Sequence, residues 1–292
     1  MNTVRSLHDI QYMSRPEGRI AYVVTGEGPL VVLVPGMGDL RSTWHAQVGP
    51  LAAAGYRTAV LDLRGHGDSD TTFTEHGDVV SGQDVLALVD QLGGPAVLIG
   101  NSMGAAAVAW AAAERPDLVA GLVLVSPMLR ERGVSSTARA LNHLLYRVLF
   151  ARPWGAAVWT TYYRRVLSRG ATTPWLDEHV RDVRAALHRP GRLRSFRHLA
   201  IELDHAPVEA RLGEVTAPVL AFVGSLDPDY PDPAAELAWV AQALHAEGVP
   251  VLDVAHYPQH QAPEVVVPAT LAFLGDLPRA ADVWTTPAPQ RA

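Results

Sequence analysis

A serine lies between two glycines in the pentapeptide Gly100-Asn101-Ser102-Met103-Gly104. The short apolar run 96–99 before it predicts a buried strand, and the alanine-rich run 105–113 after it predicts a helix. A G-x-S-x-G motif on a strand–turn–helix unit is typical of a serine whose hydroxyl is raised above a sheet. Flanking glycines permit the strained backbone and close packing that such a turn requires. Ser102 is therefore the candidate nucleophile.

A histidine is needed to accept the proton of this serine, because a hydroxyl is a weak nucleophile at neutral pH. In open α/β sheets the active groups lie beyond the carboxyl ends of the strands, and one known chain order is serine, acid, histidine. His256 follows the last predicted strand, 249–254, and is the candidate base, with His260 as an alternative. A histidine in this role predicts that kcat/KM rises through an apparent pKa of about 6 to 7.

An acidic residue must orient the base and fix its tautomer. Asp227 follows the predicted strand 219–223 and is the candidate. Asp229 and Asp232 lie in the same loop and are alternatives, since any of the three could instead be a turn aspartate. The sequence therefore predicts a catalytic triad made of Ser102, Asp227 and His256.

Two backbone N–H groups are needed to hold the negative oxygen that forms when a serine attacks a carbonyl. Met103 directly follows the nucleophile, and its N–H supplies one donor by its position in the motif. Met37 lies in the turn 35–38, which follows the predicted strand 30–34. The N–H of Met37 is the candidate for the second donor.

Strand and helix signals alternate along the first part of the chain. Apolar runs at 20–25 and 30–34 flank Gly26-Glu27-Gly28-Pro29, which predicts a β-hairpin. The alternation resumes after Pro218 and predicts a mostly parallel central sheet with helices on both faces, an α/β fold. The other predicted elements are helices at 44–54, 79–92, 105–113, 234–244 and 263–274 and strands at 58–63, 96–99, 122–125, 219–223 and 249–254.

The alternation stops between residues 129 and 205, where helical patterns occur without a strand signal. An apolar stripe at helical spacing begins this segment, and further helices are predicted at 156–167, 175–187 and 193–203. The stripe consists of Leu141, Leu144, Leu145, Val148 and Leu149. The sequence thus predicts an α/β core from residues 1–128 and 206–276, an inserted all-helical cap from 129–205, and a loose tail from 277–292.

Aromatic side chains are concentrated in this predicted cap. They could line an apolar substrate pocket or form the core of the cap itself. The pocket candidates are Trp154, Trp159, Tyr162, Tyr163 and Trp175, and Phe196 lies in the same segment.

Charge is divided unevenly between the two predicted units. The segment 129–205 has 14 Arg against 6 Asp and Glu, a balance of +8, whereas the remainder has a balance of −14. Either the basic segment docks on an acidic core, or it attracts anionic substrates. The overall net charge of −6 argues against a nucleic-acid partner.

The chain has no cysteine, so disulfides and thiolate metal sites are excluded and a reducing compartment suits it. Residues 1–15 lack the charged start and apolar run of a signal peptide. The uncharged stretch between Asp90 and Glu114 is interrupted by glycines and Asn101, so it does not predict a membrane helix. We therefore expect a cytoplasmic protein without a membrane partner.

Several motifs together resemble those of the α/β-hydrolase superfamily over nearly all of residues 20–275. Residues 62–69, D-L-R-G-H-G-D-S, are similar to the D-x-R-G-x-G-x-S loop of that family, in which we interpret His66 as structural. The run from His256-Tyr257-Pro258 resembles the family's C-terminal ending, where the first histidine is the base, and this favours His256 over His260. Pro35 and Ala255 depart from the usual His and Gly, but neither is a triad residue.

The resemblance implies a serine hydrolase without cofactor or metal. It would cleave an ester or related acyl bond of a small, largely apolar substrate through an acyl-enzyme. The turn 100–104 around Ser102, called the nucleophile elbow, also resembles that of carbon–carbon bond hydrolases of ring-fission products. The loop 36–39 and Tyr257 differ from the residues of those enzymes. Epoxide hydrolases and haloalkane dehalogenases of this fold carry Asp at the position of Ser102. A ligand-binding or acyl-transfer protein is a further alternative, and the sequence leaves the substrate and the oligomeric state open.

Overall fold

The central feature of the fold is one eight-stranded sheet. It is seen in the computed structural model, which describes residues 9–131, 133 and 136–277. The strands are β1 (Gln11–Arg15), β2 (Gly18–Thr25), β3 (Leu30–Val34), β4 (Arg57–Leu61), β5 (Ala96–Asn101), β6 (Val119–Val125), β7 (Val219–Gly224) and β8 (Glu247–Val251). Their order is β1-β2-β4-β3-β5-β6-β7-β8, and every pair is parallel apart from β1–β2 and β2–β4.

Helices cover both faces of the sheet. Those in the described residues are α1 (His45–Ala53), α2 (Asp78–Gln91), α3 (Met103–Glu114), α4 (Ser136–Leu149), α5 (Gly155–Tyr162), α6 (Trp175–His188), α7 (Arg192–Glu202), α8 (Ala206–Glu209), α9 (Pro233–Leu244), α10 (Pro258–Gln261) and α11 (Pro263–Asp276). Alternate residues of β5 enter opposite apolar clusters, Leu98 with α2 and α3, and Val97 with α1 and α11. Burial on both faces explains why the central strands are uninterrupted apolar runs, and the predicted α/β architecture is confirmed.

The predicted hairpin between β2 and β3 is wrong. Strand β4 lies between them and pairs antiparallel with β2 and parallel with β3. Two strand spacings amount to roughly 10 Å, a distance that a four-residue link of about 3.3 Å per residue still spans. A short loop therefore does not distinguish adjacent strands from next-but-one strands. Strand β2 instead forms its hairpin with β1, a half-exposed edge strand that the apolar pattern did not reveal.

Helices α4–α7 lie between β6 and β7 in the chain, within residues 129–205, which we call the inserted segment. A separate apolar cluster holds this segment together and includes Trp159, Tyr163 and Phe196, with Tyr257 joining it from the core. The outer face of α4 is exposed, because Leu141, Leu144, Leu145 and Val148 are each about half or more accessible. The predicted tail lies outside the described residues beyond Leu277. No helix in the described ranges is long and apolar enough to cross a membrane.

Candidate active site

Ser102 occupies the sharp turn between β5 and α3, with φ 56° and ψ −123°. This is a strained conformation for a residue other than glycine, and such strain concentrates at functional sites. The turn packs tightly against the loop after β3, since a Cβ added at Gly104 would lie 2.5 Å from the carbonyl oxygen of Pro35. The structure thus forms the elbow around Ser102 that the motif predicted, and it sets this elbow beside the loop that carries Met37.

His256 and Asp227 are in contact. Nδ1 of His256 lies 2.9 Å from Oδ2 of Asp227 and 3.4 Å from Oδ2 of Asp229. Both His256 and Asp227 are almost fully buried. The other carboxylate oxygen of Asp227 accepts the N–H of Asp229 at 3.0 Å, which fixes the carboxylate plane. Asp227 is therefore the primary partner of the imidazole, and Asp229 is a second, weaker one.

The loop that carries His256 is fixed from two sides. Its backbone N–H donates to the carbonyl of Leu167 in the inserted segment at 2.9 Å. Its backbone carbonyl accepts the side-chain amide of Asn101, which also donates to Val125, both at 3.1 Å. Asn101 precedes the nucleophile, so this amide ties the elbow to the base loop. No sequence pattern predicted this contact between the two loops.

The two remaining alternatives, Asp232 and His260, have other roles in the structure. Asp232 caps α9 by accepting the N–H groups of Ala234 and Ala235. His260 is buried, stacks on Tyr257 and lies 3.5 Å from the hydroxyl of Tyr163. Burial lowers the pKa of His260 to about 3. Neither alternative contacts the cavity described below.

The charges around His256 favour its protonated form. Burial alone would lower the pKa of this imidazole, but the carboxylates of Asp227 and Asp229 outweigh burial and raise the pKa to about 9. Burial would raise the pKa of Asp227, but the charge and hydrogen bond of His256 outweigh it and lower that pKa. The pKa of His256 lies above the 6 to 7 expected for an ordinary histidine, because two carboxylates face one ring nitrogen. The sequence did not reveal that arrangement.

Ser102 and His256 line one cavity of about 350 Å³. Met37 and Met103 also line it, and most of the remaining wall is apolar. That wall includes Met128, Leu149, Phe150, Trp159, Leu167 and Tyr257. The space suits a small molecule with a largely apolar body.

The candidate oxyanion donors are available. Among the described residues, no hydrogen bond occupies the N–H of Met37 or Met103. Met103 is the first residue of α3, where N–H groups have no partner within the helix and attract negative charge. The loop of Met37 is held by His66, whose Nε2 accepts the N–H of Gly38 at 3.1 Å while Nδ1 donates to the carbonyl of Arg64. His66 is buried in this structural position.

The five aromatic candidates divide into two groups. Trp159 and Tyr162 line the cavity, whereas Trp154, Tyr163 and Trp175 do not, so the pocket prediction is corrected for these three. Trp154 is half-exposed and donates to the carbonyl of Val148. The hydroxyl of Tyr163 donates to the carboxylate of Asp39, and Trp175 stacks between His45 and His179.

Sequence reasoning also missed aromatic residues that line the cavity. Tyr146, in the last turn of α4, and Phe150, which directly follows that helix, both contact the cavity, as does Tyr257. The i, i+4 spacing of the first two was a usable signal for a shared face. It was obscured because the leucines of the same helix formed a stronger apolar stripe.

A metal ion would compete with the base for its partners. The ligand atoms of Asp227, Asp229 and His256 lie within 4.8 Å of one another, a spacing that could hold an ion. The same Nδ1 and carboxylate atoms form the hydrogen bond that orients His256. Metal binding there would therefore remove the orientation of the base.

Comparison with models of known protein families identifies the family of this chain. The family model described as "Alpha/beta hydrolase family" matches residues 31–269. This chain belongs to the alpha/beta hydrolase family. The resemblance inferred from the motifs is thus confirmed over most of its length.

Individual relatives cleave different bonds, as their names state. The soluble epoxide hydrolase of Corynebacterium sp. (strain C12) is 26% identical over 282 residues, 89% of this chain and 94% of the relative. The 2-hydroxy-6-oxononadienedioate/2-hydroxy-6-oxononatrienedioate hydrolase of Comamonas testosteroni is 36% identical over 107 residues, 35% of this chain and 37% of the relative. A solved thermophilic esterase from Thermogutta terrifontis is 25% identical with a TM-score of 0.74, and the match covers 92% of this chain and 97% of that one. These likenesses support hydrolase activity for this chain.

Proposed function

We propose that this protein is a serine hydrolase that cleaves an ester or related acyl bond of a small, largely apolar substrate. The observation that carries the proposal is that Ser102 and His256 line one apolar cavity while His256 is hydrogen-bonded to Asp227 behind it. A nucleophile, a base and an orienting acid in this relation are the parts that acyl transfer requires.

The proposed reaction has two halves. His256, with Nδ1–H directed at Asp227, accepts the Ser102 proton on Nε2, and Ser102 Oγ attacks the acyl carbon. The N–H groups of Met37 and Met103 hold the oxyanion, and His256 then protonates the departing alcohol. Water, deprotonated by His256, attacks the acyl carbon, and His256 returns the proton to Ser102 Oγ as the acid is released. The inserted segment acts as a cap that excludes bulk water during these steps.

An acyl substrate suits a serine better than an epoxide does. Attack of an aspartate on an epoxide gives an ester, which water then hydrolyses. Attack of Ser102 on an epoxide would give an ether, which water does not cleave under mild conditions. Although one relative is named as an epoxide hydrolase, the residue at the elbow therefore favours acyl chemistry.

Carbon–carbon bond hydrolysis is the second candidate. The partial match to the Comamonas testosteroni enzyme favours it, since that protein is named for cleaving a substrate of this type. Such a reaction also proceeds at a carbonyl next to a nucleophile, so the two candidates share the site and differ in the leaving group. A panel that contains both kinds of substrate separates them.

The test compares the native protein with Ser102→Ala on p-nitrophenyl esters of increasing acyl length and on a vinylogous 1,5-diketone. We expect ester turnover that falls by roughly a thousandfold or more in Ser102→Ala, with unchanged thermal unfolding. Ser14→Ala, at an exposed position of β1, is the matched control. A fluorophosphonate probe should label the native protein and not Ser102→Ala.

Each other outcome points to a different class. Turnover of the diketone without ester turnover supports the carbon–carbon hydrolase. Labelling without any turnover supports a ligand-binding protein, and turnover that appears only with an added alcohol or thiol supports acyl transfer. Near-normal ester turnover by folded Ser102→Ala contradicts the serine mechanism.

A further inference from the structure

A second histidine–carboxylate pair reaches the same cavity. Nδ1 of His205 lies 2.7 Å from Oδ2 of Asp78. Asp78 is the first residue of α2 and is 2% exposed, and His205 directly precedes α8 and is 7% exposed. The proposed mechanism uses neither residue. Two buried titratable side chains in contact therefore lack an assigned role.

His205 stands where two cavities meet. It lines the cavity of Ser102 and also an adjoining cavity of about 590 Å³. Met128, Tyr146 and Leu203 line both cavities as well. A substrate that extends from Ser102 toward the second cavity would therefore pass the imidazole of His205.

The imidazole is held so that one nitrogen stays available. Nδ1 is engaged with Asp78, and the backbone N–H of His205 donates to Oε1 of Glu131 at 2.9 Å. Nε2 makes no hydrogen bond to any described residue, and it is not among the buried polar atoms that lack a partner. Nε2 is therefore accessible, on a residue that lines both cavities beside Met128, Tyr146 and Leu203.

The charge around His205 limits what it could bind. Burial would lower the pKa of this imidazole, but Asp78, Glu131 and Asp204 outweigh burial and raise it. The adjoining cavity is lined by Glu131, Glu202 and Asp204. Among the residues that the structure describes, the arginine lining this cavity is Arg130, and it is paired with Glu236 at 2.6 Å. A carboxylate on a substrate would meet these acids, whereas an uncharged oxygen would not be repelled.

Resting on the proposed function, we propose that His205, oriented by Asp78, determines specificity by hydrogen-bonding an uncharged hydroxyl or carbonyl oxygen of the substrate at the junction of the two cavities. The substrate would then be an ester with an apolar body and a second oxygen function beyond the scissile bond. Sites built to hydrogen-bond such a group discriminate strongly against analogues that lack it, because the buried polar atom is left unpaired.

The test uses matched esters that differ in one terminal group. The acyl series consists of the p-nitrophenyl esters of hexanoic acid, 6-hydroxyhexanoic acid and adipic acid as its half-ester. The alcohol series consists of hexyl acetate and 6-hydroxyhexyl acetate. In at least one series, kcat/KM of the native protein should be about tenfold or more higher for the hydroxylated ester than for the apolar one.

Three variants test the assignment of His205. His205→Leu should abolish the preference for the hydroxylated ester, Asp78→Asn should reduce it, and His205→Gln, which still donates a hydrogen bond, should retain part of it. His188→Leu, which changes an exposed histidine at the end of α6 that lines neither cavity, should keep the preference. Fluorophosphonate labelling of Ser102 is measured for every variant.

The outcomes separate the two proposals. Labelling of Ser102 without a preference for a hydroxylated ester in either series overturns the role of His205 alone. Equal losses of kcat/KM on apolar and hydroxylated esters in His205→Leu overturn it as well. If the half-ester is the best substrate, the claim that His205 binds an uncharged oxygen is overturned. Absence of both labelling and hydrolysis overturns the proposed function and this assignment with it.

Discussion

The carboxylate of Asp39 lies 2.6 Å from Nε2 of His179, and both side chains are fully buried. Asp39 belongs to the loop that carries Met37, and His179 belongs to α6 of the inserted segment. The other oxygen of Asp39 accepts the hydroxyl of Tyr163 at 3.1 Å. Burial would raise the pKa of Asp39, but the charge and hydrogen bond of His179 outweigh it and lower that pKa. A charged carboxylate therefore joins the candidate oxyanion loop to the segment above it.

His179→Leu should destabilise the fold by about 1–3 kcal/mol, because it leaves a buried carboxylate oxygen without the ring nitrogen that hydrogen-bonds to it. Ester turnover should fall as well, since the loop of Met37 loses its anchor. Chemical denaturation and kcat at one pH check both effects. The double variant Asp39→Asn/His179→Leu should recover part of the lost stability. Asp177→Asn, which breaks the exposed Arg164–Asp177 pair at the start of the same helix, should change stability little.

Hydrolysis should have an alkaline pH profile. His256 must be neutral to accept a proton, and its two carboxylates raise its pKa to about 9, so kcat/KM should rise with pH through about that value. Asp229→Asn removes one carboxylate and should move the midpoint down by on the order of one unit. Asp232→Asn, at the cap of α9, should leave the midpoint in place. A native midpoint between pH 6 and 7 that stays unchanged in Asp229→Asn would contradict the proposed effect of the two carboxylates.

Stability should depend on pH through the same residue. The pKa of His256 is about 9 in the folded state, above its ordinary value of 6.5. Protonated His256 therefore stabilises the fold fully below pH 6.5, and this contribution is lost as the pH rises through 9. The free energy of unfolding should fall by at most about 3–4 kcal/mol over that interval. His256→Gln should flatten the dependence, and an unchanged slope in that variant would assign it to other groups.

Residues at the ends of strands could be placed from the sequence. Ser102, Asp227 and His256 each follow an apolar run bounded by turn residues, and parallel strands bring such positions to one edge of the sheet. The position of β4 between β2 and β3 could not be placed, because strand order depends on pairing between segments far apart in the chain. The pKa of His256 could not be placed either, because it depends on the direction of the Asp229 side chain, which the sequence does not indicate.

The cavity wall was the least predictable part of the site. Trp159 and Tyr162 line it, while Tyr163, the next residue, points into the apolar cluster and reaches Asp39. Aromatic residues surround α5 on several sides, so composition does not say which of them face the substrate. That choice is made by how α4, α5 and α7 pack on each other and on the loop of Met37.

Gly38→Ala should impair catalysis more than its size suggests. Gly38 has φ +71°, and an added Cβ would lie 2.6 Å from both Phe196 and Trp159. The methyl group would push the loop of Met37 away from the inserted segment and strain its bond to His66. We expect kcat to fall about tenfold or more. Gly275→Ala, in α11 with nothing near the added methyl, should instead stabilise the fold by roughly 0.5–1 kcal/mol. Equal and small effects of both changes would contradict the account.

Salt should not slow the hydrolysis of an acidic ester more than that of a neutral one. Arginines of the inserted segment bind the core, since Arg189 pairs with Asp68 at 2.8 Å and Arg192 donates to the carbonyl of His66 at 3.3 Å. Guanidinium groups engaged in this way hold the segment in place and are poorly available to attract anions, which favours docking over steering as the reason for the charge split. The measurement is kcat/KM of p-nitrophenyl hexanoate and of the adipate half-ester from about 10 mM to about 1 M salt, a range over which the screening length falls from ~30 Å to ~3 Å. The decline for the half-ester should be no steeper than that for the hexanoate, because salt also screens the repulsion between its carboxylate and the acids of the adjoining cavity. A steeper decline for the half-ester would restore the steering interpretation, because only a long-range attraction is screened in that way.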